Sequence, residues 1–452
     1  MTTTAQLGHR MARTVRVAPR EVHDVLKRHI LVDGYHLVID LERSHGAWIH
    51  DNARGREVLD LYTSFATLPL GYNHPKTLAP EFRERILPAA LNKPANSDMY
   101  STEYAEFVET ISRTVPEALR HHMFFIDSGA LAVENALKTA FDWKVRKNLQ
   151  RGKGEKGSQI IHFREAFHGR SGYTLSLTNT DPKKTDYYPK FPWPRVTNPK
   201  LAFPVTEEVL RRTIESERQA VAEIERAVAA HPDDVAALII EPIQGEGGDN
   251  HFRGEFLHEL RRLADLHEFL LIFDEVQTGF GTTGKWWAFE HFGVVPDIFA
   301  FAKKAQASGI CASSRIDDVD SVFKVSSRIN STWGGNLVDM VRSTKFVEII
   351  EEEGLLDNAA KVGAQLLRGL EHLAEIFPGK VTSPRGRGMF LAFDLPDTET
   401  RNRAIKTLMM EHDLLALSSG TRSLRCRPAL NFSADEAAEA LRRLERGLKA
   451  VL

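Results

Sequence analysis

Three short apolar runs constrain this chain more than any other feature. "VAALII" (235–240) and "LLIF" (270–273) each have the length of a strand. Between them, "GEFLHELRRLADLHE" (254–268) sets Phe256, Leu257, Leu260, Leu263 and Ala264 at helical spacing, which predicts a helix with one buried face. Strands that are apolar on both sides and joined by a helical crossover predict a parallel sheet covered on both faces. A third run, "IFAFA" (298–302), comes after Pro296 and Asp297. The runs end in Glu241, Asp274 and Lys303. Because the carboxyl ends of strands in open α/β sheets line the ligand crevice, these three ionisable groups are expected in one place.

At 452 residues the chain is longer than one hydrophobic core usually supports, so two packed domains are expected. The α/β pattern covers residues 76–344, read as the large domain. Past Trp333-Gly334-Gly335 the texture changes to a helical stretch (341–377), a strand-like "GMFLAFDL" (388–395), a helix, "SLRCRPAL" (423–430) and a last helix opened by a capping box, Ser433 and Glu436. Residues 345–452, completed by 1–75, read as a smaller α+β domain.

A formal net charge of -2 gives no reason to expect nucleic acid as a partner, and no apolar run reaches the roughly 18 residues of a membrane span. Two cysteines, Cys311 and Cys426, are too few for a disulfide framework or a Cys-built metal site, so a reducing cytoplasm and no metal are expected. The first 20 residues hold four Arg and no acid, as a transit peptide does, but their apolar face is weak and a frayed N-terminus is the preferred reading.

Asp274 needs a partner, since a carboxylate at the edge of a core is costly alone. An apolar strand ending in Asp-Glu is also how a Walker B motif looks, and "GFGTTGK" (279–285) has P-loop spacing. Trp286 stands where a hydroxyl should hold Mg²⁺, and no strand leads into the glycines, so ATP chemistry is rejected. Asp274 and Lys303 together suit another group. A lysine amine condenses with an aldehyde, and an acid beside a pyridine nitrogen keeps that nitrogen protonated. Pyridoxal 5′-phosphate asks for this pair, for flat faces around its ring and for a phosphate cradle. Ser128, Gly129 and Ala130, ahead of a helix with Val133, Ala136, Leu137 and Ala140 on its buried face, are the cradle candidates. Phe167 and His168 are candidates for the ring faces. Strand alternation assigns one of Val276 and Gln277 to the ring and the other to its phenolic oxygen.

These segments resemble the class III, ornithine-type aminotransferases of the fold-type I pyridoxal phosphate enzymes. The resemblance rests on "SGALAVENALK", "FHGRSGYTLSLTN", "IIEPIQGEGG", "LIFDEVQTGFGTTGK", "PDIFAFAKK", "STWGGN" and "LRCRPAL", in the family's order. It implies an α/β fold with a mostly parallel seven-stranded sheet flanked by helices, plus a small α+β domain. It also implies a homodimer with shared active sites, in which Ser331 and Thr332 reach the phosphate of the neighbouring subunit. "NKPANSDMYS", "AFDWKVR", "YPKFPWPR" and "NSTWGGNLVDMVRS" are more similar to family members that act on the ε-amine of lysine than to those acting on ornithine or acetylornithine.

By the same resemblance Lys303, Asp274 and Glu246 are catalytic. Arg425 grips the α-carboxylate of 2-oxoglutarate or L-glutamate, Glu246 swings onto Arg425 when L-lysine or a similar amine binds, Arg170 takes the far carboxylate, and Asn330 binds substrate. Two departures stand out: Lys304 comes directly after Lys303, leaving two candidate amines, and "GICASSRIDDV" (309–319) replaces a Gly-Ala-rich segment. The alternatives are another ω-aminotransferase (ornithine, 4-aminobutyrate or acetylornithine), an aminomutase or racemase with the same lysine and aspartate, and a cofactor-binding regulator without catalysis.

Overall fold

A computed structural model describes residues 15–452. Of the Arg-rich N-terminal stretch, residues 1–14 lie outside the described residues. A seven-stranded sheet organises the middle of the chain. Its spatial order is His122–Ile126, Ser308–Ala312, Ile298–Phe301, Leu270–Asp274, Val235–Ile240, Gln159–Phe163 and Arg195–Val196. Six strands run the same way, and only 308–312 is antiparallel to its neighbours.

The continuous apolar runs are explained by burial on both faces. Alternate side chains of 270–274 go to opposite cores: Leu271 and Phe273 pack with helix Gly254–Leu266, while Leu270 and Ile272 pack with helix Gly129–Gln150. Each such side chain, fully removed from water, contributes about 1.5–3 kcal/mol.

A second, antiparallel sheet has the order Thr382–Arg387, Phe390–Asp394, Ser423–Cys426, Leu417–Ser419. Helix Leu355–Ile376 packs on it, with helices Thr398–Glu411 and Ala434–Val451 alongside. The last helix carries the expected capping box, Ser433 with Glu436. The N-terminal strands Ile39–His45, Trp48–Asp51 and Arg56–Asp60 join this half of the chain through the parallel pairing of Leu59 with Leu414.

Two expectations are corrected. The helical stretch over 341–377 is two helices, Leu337–Glu352 and Leu355–Ile376, broken at Gly354, whose φ of 61° suits glycine. The strand expected over 423–430 stops at Cys426, just short of Pro428, which has no N–H to give a ladder. Among the described residues, no helix is long and apolar enough to cross a membrane.

Candidate active site

The strand ends converge as the crevice rule predicts. Glu241, Asp274 and Lys303, from three adjacent parallel strands, line one cavity of about 510 Å³ together with Ser128, Gly129 and Ala130. Asp274 is buried, and its carboxylate accepts the Val276 N–H at 3.0 Å and lies 2.7 Å from Nδ1 of His168. His168 is itself held by its N–H on the Thr178 hydroxyl at 3.0 Å. Glu241 is the second buried acid. It accepts N–H groups from Phe167 (3.0 Å) and Gly245 (2.9 Å), and burial pushes its carboxyl up to about 7. It thereby ties the loop that carries Phe167 and His168 to the loop that carries Glu246.

At the helix start, Ser128 has φ 86° and its side chain makes no capping bond. The first N–H groups of a 22-residue helix therefore face the cavity, beside a hydroxyl that caps none of them. Gly129 is required for close approach, because a Cβ there would stand 2.9 Å from Val276 Cγ1 and 3.1 Å from Ala302 Cβ. Val276 and Gln277 both line the cavity, yet they sit in a turn beyond the strand end at Asp274, so strand alternation does not set their directions.

The structure separates the two lysines. Lys303, at φ 49°, lines the cavity and also a smaller one of about 260 Å³ that adjoins it. Burial, aided by the positive charge of Arg425 and opposed by Glu246 and Asp274, pulls its amine down to about 8. Lys304 lines neither cavity; its amine is buried, near Arg427 and Asp60, and has no hydrogen-bond partner among the described residues.

The smaller cavity holds Glu246, Arg425 and Arg170. Arg425, buried on strand 423–426, donates from Nη2 to Glu246 Oε2 at 2.6 Å and from Nη1 to Gln277 Oε1 at 3.3 Å. Burial raises the Glu246 carboxyl, but Arg425 and Lys184 outweigh it and hold the group down at about 2. Arg170 is exposed and reaches both cavities.

Asn330, Ser331 and Thr332 do not line either cavity of their own chain. The Ser331 hydroxyl accepts the Gly334 N–H at 3.0 Å, and Thr332 is exposed.

Sequence reasoning missed two participants. Lys184, in "DPKKTD", looks like solvated surface, yet its Nζ lies 2.7 Å from Glu246 Oε1. Phe65 sits in a left-handed turn, Thr63 to Ala66, with φ between 43° and 65°. Each such residue costs about 1–2 kcal/mol. Asp60 holds the turn by accepting the N–H groups of Tyr62 (2.7 Å) and Thr63 (2.8 Å), and the turn places the Phe65 ring 6.0 Å from Lys303 Nζ. No spacing rule finds it, because non-glycine runs in that conformation are rare.

The family model for aminotransferase class III matches residues 31–448. The chain belongs to aminotransferase class III. It is 48% identical over 435 residues to the L-lysine-epsilon aminotransferase of Amycolatopsis lactamdurans, covering 96% of this chain and 95% of that one. It is 47% identical over 434 residues to the same-named protein of Streptomyces clavuligerus, with the same coverage. The solved lysine aminotransferase of Mycobacterium tuberculosis superposes with a TM-score of 0.94 at 47% identity, covering 96% of this chain and 100% of that one. The enzyme is thus a transaminase, and enzymes of this class act with pyridoxal 5′-phosphate. The residues present fit that group: a helix start left open by Ser128 and Gly129, a buried carboxylate at Asp274, and an amine at Lys303 share one cavity.

Proposed function

We propose that this transaminase moves the ε-amino group of L-lysine to 2-oxoglutarate, giving 2-aminoadipate 6-semialdehyde and L-glutamate. The observation that carries the reading is the Arg425–Glu246 pair in the cavity that Lys303 shares. An ω-amine brings no carboxylate near the reacting carbon, so a bare Arg425 would repel its ammonium; Glu246 neutralises it. A dicarboxylic keto acid does bring one, and Arg425 can grip it in bidentate fashion once Glu246 leaves. The names of the similar proteins point to the same donor.

When bound, the cofactor supplies an aldehyde for amines and a ring that draws electrons from the carbon bearing the nitrogen. Ser128, Gly129 and Ala130 would hold its phosphate through N–H groups and a hydroxyl. Asp274, oriented by His168, would face the ring nitrogen and keep it protonated. Phe167 and Val276 would flank the ring, and Gln277 its phenolic oxygen. Lys303 would hold the aldehyde, then use its freed amine, whose pKa is lowered by burial, to take the proton from the substrate carbon and return it to the cofactor. Arg170 would take the far carboxylate, with Asn330 beside the substrate.

A half-reaction panel tests the donor. Purified enzyme mixed with L-lysine, L-ornithine, 4-aminobutyrate or N-acetylornithine is expected to show its fastest cofactor spectral change, and release of the six-carbon semialdehyde, with lysine. A faster change with any other member of the panel overturns the assignment.

We read residues 76–344 as the cofactor domain and 1–75 with 345–452 as the small domain, and the working unit as a cytoplasmic homodimer. Support for a partner comes from the exposed apolar side chains Leu91, Met99, Tyr100 and Trp333, contiguous with 330–332 through the Asn96 N–H on the Trp333 carbonyl. In the dimer, Ser331 and Thr332 would serve the neighbour's phosphate. Mixing two inactive variants, Lys303→Ala and Thr332→Arg, and allowing subunits to exchange should restore about a quarter of the wild-type activity per site, because half of the dimers carry one intact composite site. No recovery, with exchange verified by mass, means each chain builds its site alone.

A further inference from the structure

Glu246 is gripped from two sides. Arg425 donates to one oxygen at 2.6 Å and Lys184 to the other at 2.7 Å. Lys184 is not a wandering surface chain: its amine also lies 3.4 Å from the Thr180 hydroxyl and 5.3 Å from the centre of the Phe167 ring, and only 24% of its side chain is exposed. It lines the same small cavity as Lys303, Arg170 and Arg425.

With Arg425 and Lys184 positive and Glu246 negative, its carboxyl held down by the two cations beside it, the trio carries a net charge of about +1. A substrate carboxylate that takes Arg425 brings the trio to neutrality, with two ion pairs, because Glu246 keeps Lys184. Without Lys184 the same event leaves Glu246 as an unpaired carboxylate in a site that is three-quarters buried, which is strongly unfavourable. An incoming amine displaces nothing from Arg425 and gains nothing from the extra cation.

We infer that Lys184 is a positioning residue for the Glu246 gate: it receives Glu246 when a substrate carboxylate takes Arg425, and it thereby favours the dicarboxylate half of the reaction. This rests on the gate described under the proposed function, and it adds a group that sets how easily the gate opens.

The test compares the wild type with Lys184→Met, Lys184→Arg and each change in a Glu246→Ala background, all as holoenzymes. Two quantities are read: the dissociation constant of glutarate, a dicarboxylate that cannot react, by calorimetry, and the KM values for 2-oxoglutarate and for the amine donor. In Lys184→Met the glutarate dissociation constant and the 2-oxoglutarate KM should each rise roughly tenfold, the order expected between an exposed and a buried ion pair. The donor KM should rise much less. Lys184→Arg should recover most of the loss, and in the Glu246→Ala background the Lys184→Met change should have no further effect. Equal losses for donor and dicarboxylate, or a loss that persists without Glu246, would overturn the inference, the latter by showing that Lys184 touches the substrate directly. Glutarate binding requires no turnover, so it tests Lys184 independently of which amine the enzyme prefers.

Discussion

Lys303→Ala is expected to lower turnover by at least about 10⁴-fold, because in the proposed mechanism one side chain would both anchor the aldehyde and move the proton. Lys304 cannot substitute. It is adjacent in sequence, but its amine is buried near Asp60 and Arg427 and faces neither cavity. Borohydride treatment of the wild-type holoenzyme should attach the cofactor's mass to the peptide containing Lys303, and in the variant to no peptide. Retained activity in the variant, or attachment at Lys304, would remove Lys303 from the mechanism. The lowered pKa adds a second measurable expectation. Burial and Arg425 pull the Lys303 amine of the cofactor-free protein down to about 8, so its neutral, condensing form is the minor one below that pH. Capture of added cofactor should accelerate as pH rises through about 8 and then level off, well below the range of an ordinary lysine.

Asp274→Asn is expected to cost about 10²–10³-fold in kcat/KM, the usual size for removing one preorganised charge from an active site. The substitution preserves shape and keeps an acceptor for the Val276 N–H, so the fold should survive and the loss is attributable to charge. It also takes the anionic partner from His168, 2.7 Å away, whose ring is buried. Because the proposed role is to keep the ring nitrogen protonated, the variant should bind cofactor while its spectrum shifts towards that of an unprotonated ring. Activity within tenfold of wild type would mean that the buried carboxylate is there to hold His168 and nothing more.

The fold's central sheet was legible because its strands announce themselves. Continuous apolar runs such as 235–240 can only be buried on both faces, and the amphipathic 254–266 helix supplies one of those covers. The positions of Asp274, Lys303 and the helix start at Ser128 were legible by the same logic, since a parallel sheet brings the carboxyl ends of its strands, and the loops beyond them, to a single edge. Helix breaks were less visible: Gly354 interrupts a pattern that stays apolar at helical spacing on both sides of it, so the two helices read as one.

What the sequence by itself determined is the set of chemical groups and the edge at which they meet, because burial periodicity is local and the sheet's geometry does the rest. Which of two adjacent lysines faces the cavity, that a surface-looking Lys184 grips Glu246, and that Phe65 rides a left-handed turn over Lys303 were decided only in three dimensions. Each depends on contacts between residues far apart in the chain: Lys184 with Glu246, Lys304 with Asp60 and Arg427, Thr63 with the Arg427 carbonyl. Such pairings leave no period in the sequence, because the energy that selects them comes from the neighbour and not from the residue's own run of chain.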